Sequence, residues 1–172
     1  MKKYFLYFLK SFEPEIAHYL TIQLLKNFSF LLSIKKDDPI LQSNLSGTKI
    51  LNPIGLAAGF DKNAEVINSM EKLGFGFIEC GTVTPKPQFG NPKPRVFRLK
   101  EDKGLINRLG FNSSGIEEFQ KNYDKKKIKR SLVGINIGPN KTSSDFIKDY
   151  LFLFEKIYDQ AGYITINLSS PN

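Results

Sequence analysis

Asn52-Pro-Ile-Gly-Leu-Ala-Ala-Gly-Phe-Asp-Lys62 is an apolar run that breaks into small and charged residues at its C-terminal end. Tyr163-Ile-Thr-Ile-Asn-Leu-Ser-Ser-Pro-Asn172 has the same design. Strands of this kind deliver backbone groups, amides and hydroxyls to the mouth of a parallel sheet or barrel. Between them the chain alternates. Pattern predicts a strand over 53–58, a helix over 64–73 stopped by Gly74, and a strand over 76–80. A third strand follows over 132–137 and a fourth over 163–167. Such nearly continuous apolar strands belong to parallel sheets covered on both faces, and the β-α-β-α order predicts an α/β fold built from crossovers.

The helices carry their own signals. Val66, Ile67, Met70 and Leu73 share one face of the first. Ser114-x-x-Glu117 reads as a capping box, with Phe119 and Tyr123 in the helix it opens. Ser143 or Ser144 with Asp145 opens another, whose stripe is Ile147, Tyr150, Leu151, Phe154, Ile157 and Tyr158, ended by Gly162. The connection from second to third strand is too long for one helix. Pro94-Arg-Val-Phe-Arg-Leu99 and Lys103-Gly-Leu-Ile106 predict a hairpin excursion there, and Asn107-Arg-Leu-Gly-Phe-Asn112 follows as a third cluster of amides beside glycine.

Four strand ends thus bring similar chemistry together: Ala57, Ala58, Gly59 and Lys62; Gly81, Thr82 and Thr84; Asn136, Gly138 and Asn140; Asn167, Ser169, Ser170 and Asn172. Small residues let a flat ring approach the backbone. Asparagine amides match a planar heterocycle with alternating N–H and C=O edges. Lysine supplies a positive charge for a reduced flavin or a substrate carboxylate, and an oriented hydroxyl can pass a proton. Taken singly, each cluster is equally well a cap or a packing turn. Asp61 beside Lys62 is expected to form a structural ion pair.

Composition narrows the partners. The 172 residues are 41% hydrophobic with a formal net charge of +8, which permits nucleic acid or an anionic membrane surface without choosing between them. Lys121 to Arg130 holds six of the positive charges and reads as the solvated end of a helix. A single cysteine, Cys80, excludes an internal disulfide, and with His18 as the single histidine no Cys/His metal cluster can form. No apolar run reaches the roughly 18 residues of a spanning helix, and there is no GxGxxG, P-loop or HExxH. Lys2, Lys3 and the apolar Tyr4-Phe-Leu-Tyr-Phe-Leu9 suggest a signal peptide, but the stretch is short and lacks a cleavage site, so it reads as mature protein. Residues 1–36 hold six lysines and two glutamates among aromatic and aliphatic residues. Ile16, Leu20, Leu24 and Phe28 form one helical face, with Ala17 and Leu25 beside it and Pro14 in the first turn. Two readings stand: helices lying in an anionic membrane interface, or helices packed on the rest of the protein. Lys35-Lys-Asp-Asp-Pro39 reads as the linker that follows them.

Taken together, the chain resembles the class 2, quinone-dependent dihydroorotate dehydrogenases over its whole length. The matching stretches are Glu13-Pro-Glu-Ile-Ala-His18, Gly55-Leu-Ala-Ala-Gly-Phe-Asp-Lys62, Glu79-Cys-Gly-Thr-Val-Thr-Pro85, Gly90-Asn-Pro-Lys-Pro-Arg-Val-Phe-Arg98, Asn107-Arg-Leu-Gly-Phe-Asn112 and Asn167-Leu-Ser-Ser-Pro-Asn172. The resemblance implies an FMN-bearing (β/α)8 TIM barrel, of which residues 40–172 are the N-terminal half. It also implies a small helical domain over 1–36 that lies on the membrane and admits the quinone. On this resemblance Ala58, Gly59, Phe60, Asp61, Lys62, Thr82, Asn136 and Asn167 would line FMN. Lys62, Asn107, Arg108, Leu109, Gly110, Phe111, Asn167 and Asn172 would hold dihydroorotate, and Ser170 would be the catalytic base, where class 1 relatives place a cysteine. The implied setting is a peripheral membrane protein on the cytoplasmic face of the cell membrane, acting in pyrimidine biosynthesis without nucleic acid as a partner.

Two departures are visible. Pro139 stands where the family commonly has a basic residue. The further lysine, the Ser/Thr substrate contact and the glycine-rich phosphate loops of the family's second half have no counterpart here, so the expectation is a fragment that neither holds FMN tightly nor turns over alone. The alternatives are a related flavin-dependent dihydropyrimidine or dihydrouridine reductase, and a non-catalytic membrane-surface or nucleic-acid-binding protein. Nucleic-acid binding would need aromatics interleaved with the charges, and Lys125 to Arg130 is a bare cluster.

Overall fold

A computed structural model describes residues 2–34, 37–45, 47–124 and 132–168. Helices α1 (Lys2–Ser11) and α2 (Pro14–Asn27) come first, then two 3-10 turns (Ser29–Leu31 and Pro39–Leu41) and a small antiparallel hairpin, β1 (Ser43–Leu45) with β2 (Thr48–Ile50). The alternation follows: β3 (Gly55–Leu56), α3 (Ile67–Leu73), β4 (Phe77–Val83), the hairpin β5 (Val96–Leu99) with β6 (Gly104–Asn107), α4 (Gly115–Tyr123), β7 (Leu132–Ile137), α5 (Phe146–Ile157) and β8 (Tyr163–Ile166).

The four parallel strands pair in the order β3-β4-β7-β8. Spatial order equals chain order, so the sheet never reverses its winding. A doubly wound sheet reverses at a switch point, whereas a barrel adds each strand beside the last. The sheet is therefore an arc of a barrel.

One face of that arc is the core. Ile78, Cys80 and Val83 of β4 and Val133, Ile135 and Ile137 of β7 pack against Val66, Ile67 and Met70, against Ile116, Phe119 and Tyr123 of α4, and against Leu153 and Ile157 of α5. Ile22 of α2 belongs to the same cluster, so the second helix is packed into the body of the protein. On the other face, the rings of Phe77 and Tyr163 lie over Gly55 and Gly134 of the neighbouring strands. A side chain at either glycine would collide with the ring, so these positions are filled from next door.

Several boundaries differ from the pattern. The first strand is two residues rather than six, because Pro53 has no N–H to donate and the chain turns at Gly59, whose φ of +100° favours glycine. The first crossover helix begins at Ile67 because Ala64 takes a left-handed φ of 57°. The second strand continues to Val83 through an irregularity between Cys80 and Val83. Ser114 makes no capping hydrogen bond; Ser113 Oγ accepts from the Gly115 amide instead, since Gly115 has a positive φ and holds Ser114 out of cap geometry. Asp145, by contrast, caps α5 through the Lys148 amide at 3.0 Å. The hairpin β1–β2 was not foreseen.

The apolar stripes needed rotation. On α5 the buried residues are Leu153 and Ile157 with Tyr150 partly covered, while Ile147, Leu151, Phe154 and Tyr158 are exposed. That helix is apolar on two faces, and periodicity alone does not say which one meets the sheet. On α2, Ala17 and Ile22 are buried and Leu25 packs against the core, while Ile16, Leu24 and Phe28 are exposed. The cluster 125–130 and the end of the chain from Ser169 lie outside the described residues.

Candidate functional site

The site is built where β3, β4, β7 and β8 end. The loop after β3 is stitched to β4 by two backbone bonds: Gly59 N–H donates to Gly81 O at 2.8 Å, and Gly81 N–H donates to Asp61 O at 3.1 Å. Ala58 and Gly59 thereby sit on the rim, and a Cβ placed on Gly59 would meet open space. Asp61 does not pair with Lys62. Its carboxylate accepts the amides of Glu65 (2.8 Å) and Val66 (2.9 Å), capping the turn into α3. Burial pushes this carboxyl up to about 6, against the pull of those two amide donors. The side chain is thus a buried structural cap. Phe60 turns its ring edge-on to His18 at 5.3 Å, and its carbonyl lies 2.7 Å from His18 Nε2.

Three adjacent strand ends meet in one polar cluster. Thr82 Oγ1 donates to Asn136 Oδ1 at 2.6 Å. Asn167 Nδ2 donates to Thr82 Oγ1 at 3.0 Å and to Asn136 Oδ1 at 3.2 Å. Asn136 Nδ2 donates in turn to Glu79 Oε1 at 2.9 Å, and Thr165 Oγ1 donates to Glu79 Oε2 at 3.0 Å. Burial, and then the nearby Glu79 charge, drive the Tyr163 phenol strongly upward. Glu79 was missed as a site residue, although an acid in the middle of Gly76-Phe-Ile-Glu-Cys80 was a legible signal.

Lys62 belongs to a second cluster on the same rim. Its ammonium donates to Asn112 Oδ1 at 2.8 Å. Burial lowers it to about 8, Arg95 adds repulsion, and Glu15 acts the other way. Asn112, the last residue of the Asn107–Asn112 motif, is thereby a further candidate site residue. Of the Asn107–Phe111 run, Arg108 faces away: its guanidinium donates to Pro94 O at 3.1 Å and lies over the Phe97 ring at 5.8 Å. Asn107 and Leu109 stay on the mouth side, while Gly110 packs against Asn91, and Phe111 near Gly138. Asn140 is buried as a loop clamp, bonding Lys86 and Gln88. Ser170 and Asn172 lie outside the described residues.

A cavity of roughly 340 Å3 lies beside Lys62 and Asn112. Ala58, Gly59, Lys62, Asn107, Leu109 and Asn112 form its floor; Pro14, Glu15 and His18 of α2 and Val96, Arg98 and Leu105 of the hairpin form its wall. The wall is held by charge. Arg95 is buried and grips Glu15 through Nη2 to Oε1 at 2.8 Å and Nε to both carboxylate oxygens, and also binds the carbonyls of Phe89 and Asn91. Burial alone would raise the Glu15 carboxyl; the guanidinium outweighs it and holds the group below its usual range. Arg98 binds the carbonyls of Phe12 (2.6 Å) and Lys10 (3.1 Å), tying the end of α1 to the hairpin.

Residues 40–172 match the family model described as dihydroorotate dehydrogenase. A relative from Brucella ovis, dihydroorotate dehydrogenase (quinone), is 49% identical over 162 residues, covering 94% of this chain and 44% of the relative. One from Buchnera aphidicola with the same name is 51% identical over 165 residues, 93% of this chain and 49% of the relative. The crystal structure of DHODH from Eimeria tenella in complex with ferulenol superposes with a TM-score of 0.85 at 42% identity, covering 93% of this chain and 44% of that one. The chain spans about half the length of the curated relatives it matches.

Proposed function

From the premise that the chain belongs to the dihydroorotate dehydrogenase family, we propose that it contributes half of a site that oxidises dihydroorotate to orotate in pyrimidine biosynthesis, with FMN as cofactor and a quinone as the final acceptor. The observation that carries this is the Thr82–Asn136–Asn167 cluster, three hydrogen-bonding side chains locked together at adjacent strand ends. The residues present fit a flavin: the cluster supplies amide and hydroxyl groups for a heterocycle edge, and the open rim at Ala58 and Gly59 leaves room for a ring against backbone. Ala58 to Lys62, Thr82, Asn136 and Asn167 would hold it, Asp61 through its main chain only. Bound there, the flavin supplies a two-electron acceptor for the hydride from C6 of the substrate.

This chain's own residues do the rest. Lys62 offers its charge to the substrate carboxylate and is pre-oriented by Asn112. Asn107, Leu109, Gly110, Phe111, Asn167 and Asn172 complete the substrate contacts, and Ser170 takes the C5 proton. The cavity walled by α2 supplies the quinone path. Tyr4, Tyr7, Phe8, Tyr19, Phe28 and Phe30 are exposed on and just after the two N-terminal helices, which supports the reading of residues 1–36 as a domain seated on the membrane surface. Among the described residues no helix is long and apolar enough to cross a membrane.

The test is flavin absorbance of the purified protein with a dihydroorotate–dye assay, repeated on Ser170→Ala. In a version of the protein that spans the full length of its relatives, Ser170→Ala is expected to keep flavin binding and to lower turnover by about 10²-fold or more. Unchanged turnover would remove the serine from the chemistry. A preparation that binds no flavin at any concentration would leave this chain without a cofactor site of its own.

A further inference from the structure

The polar cluster has a direction, and its root is Glu79. A carboxylate accepts hydrogen bonds and donates none. Around Glu79 the structure gathers two donors among the described residues, one on each carboxylate oxygen: Asn136 Nδ2 on Oε1 and Thr165 Oγ1 on Oε2. The constraint passes outward one bond at a time. Asn136 must turn its nitrogen toward Glu79, so its oxygen must face the strand ends. That oxygen takes the Thr82 hydroxyl and the Asn167 amide nitrogen. Thr82, having given its proton to Asn136, accepts from Asn167 Nδ2. Asn167 therefore has its nitrogen committed to the cluster and its carbonyl oxygen on the opposite side. Neither asparagine could choose that orientation alone, because an amide can flip at little expense when its partners can also reverse.

We propose that Glu79 is a positioning residue: by accepting only, it sets the donor–acceptor direction of the Asn136–Thr82–Asn167 cluster, and so decides which edge of a planar heterocycle the strand ends recognise. The inference deepens the flavin reading and rests on it for the identity of that heterocycle. The orientation itself is a property of the chain without ligand.

The substitution that isolates the effect is Glu79→Gln. It keeps shape and volume but adds a donor, which lets Asn136 flip. Side-chain amide NMR on the protein selectively labelled at asparagine reads the orientation. In the natural protein the Asn136 NH2 protons should give cross-peaks to the Glu79 side chain. In Glu79→Gln these should weaken and cross-peaks to the Thr82 methyl should appear, with the backbone spectrum otherwise retained. The double variant Glu79→Gln/Asn136→Asp restores an acceptor-only group at 136 facing Thr82 and Asn167. Oxidised FMN is the ligand arm: Glu79→Gln should weaken binding by about tenfold or more, and the double variant should recover most of that loss. A merely structural carboxylate would not give that recovery. Unflipped Asn136 amides in Glu79→Gln overturn the proposal. A double variant no better than the single one does the same. If the flip occurs while the natural protein binds no FMN, the positioning role stands and the flavin reading fails.

Discussion

The two faces of the parallel sheet are built from the same strands and do opposite work. On β4, Ile78 and Cys80 point to the helices and are fully buried, while Glu79 between them points to the other side and is hydrogen-bonded there. On β7, Val133, Ile135 and Ile137 are core, and Asn136 joins the polar cluster. Strand geometry imposes this: alternate side chains leave on opposite faces. Buried apolar packing is concentrated on the outer face and hydrogen-bonded polar side chains on the inner one. Substitutions one residue apart in sequence are therefore expected to affect different properties.

The largest expected effect tests the outer face. Phe119→Ala removes a ring that is 1% exposed between α4 and the sheet and should lower the unfolding free energy by about 4 kcal/mol, read by urea denaturation. A loss below about 1 kcal/mol would mean that this face is not the core. Next is the joint between the helices and the barrel arc. Arg95→Ala leaves Glu15 without its buried partner and should cost about 2 kcal/mol. Proteolysis should then cut first near α2; equal protection of natural and variant proteins would break the idea that this pair fastens the helix.

Lys62 sharpens the contrast with a pH dependence. Burial lowers its ammonium from 10.5 to about 8, so the unfolded chain binds this proton more tightly than the folded one. Its charge opposes folding below about pH 8, and the opposition fades as pH rises toward 10.5. Lys62→Met should therefore gain about 1 kcal/mol at pH 7, after allowance for solvent screening and the lost bond to Asn112, and nothing near pH 10. A gain independent of pH would exclude this origin. Affinity for an anionic ligand should fall in the same variant. The smallest stability effect belongs to the inner face: Thr82→Ala should change unfolding by about 1 kcal/mol or less while weakening flavin binding, and the reverse pattern would reverse the assignment of the two faces.

How much of this was legible follows from the kind of signal each feature leaves. The parallel alternation, the hairpin over 94–106 and the Asp145 cap were readable because local chemistry makes them. The stripe on α5 was misread because that helix has two apolar faces, and burial depends on which neighbour arrives. Asp61 was given a lysine partner from adjacency, yet the carboxylate turned inward to the amides of Glu65 and Val66. Arg108 looked like a ligand contact beside Asn107, but the hairpin carries its guanidinium to the outer side.

By itself the sequence determined the order and approximate place of the four parallel strands, which strand ends carry amides, hydroxyls and glycine, and which family the motifs resemble. These are matters of local propensity and period, settled within a few residues. Only the tertiary structure decided that the strands wind without reversal, that Arg95 reaches back to Glu15, and that Glu79, Asn136, Thr82 and Asn167 share one directed network. Those are contacts between residues tens of positions apart, and they exist only once the sheet has curved and brought its strand ends together.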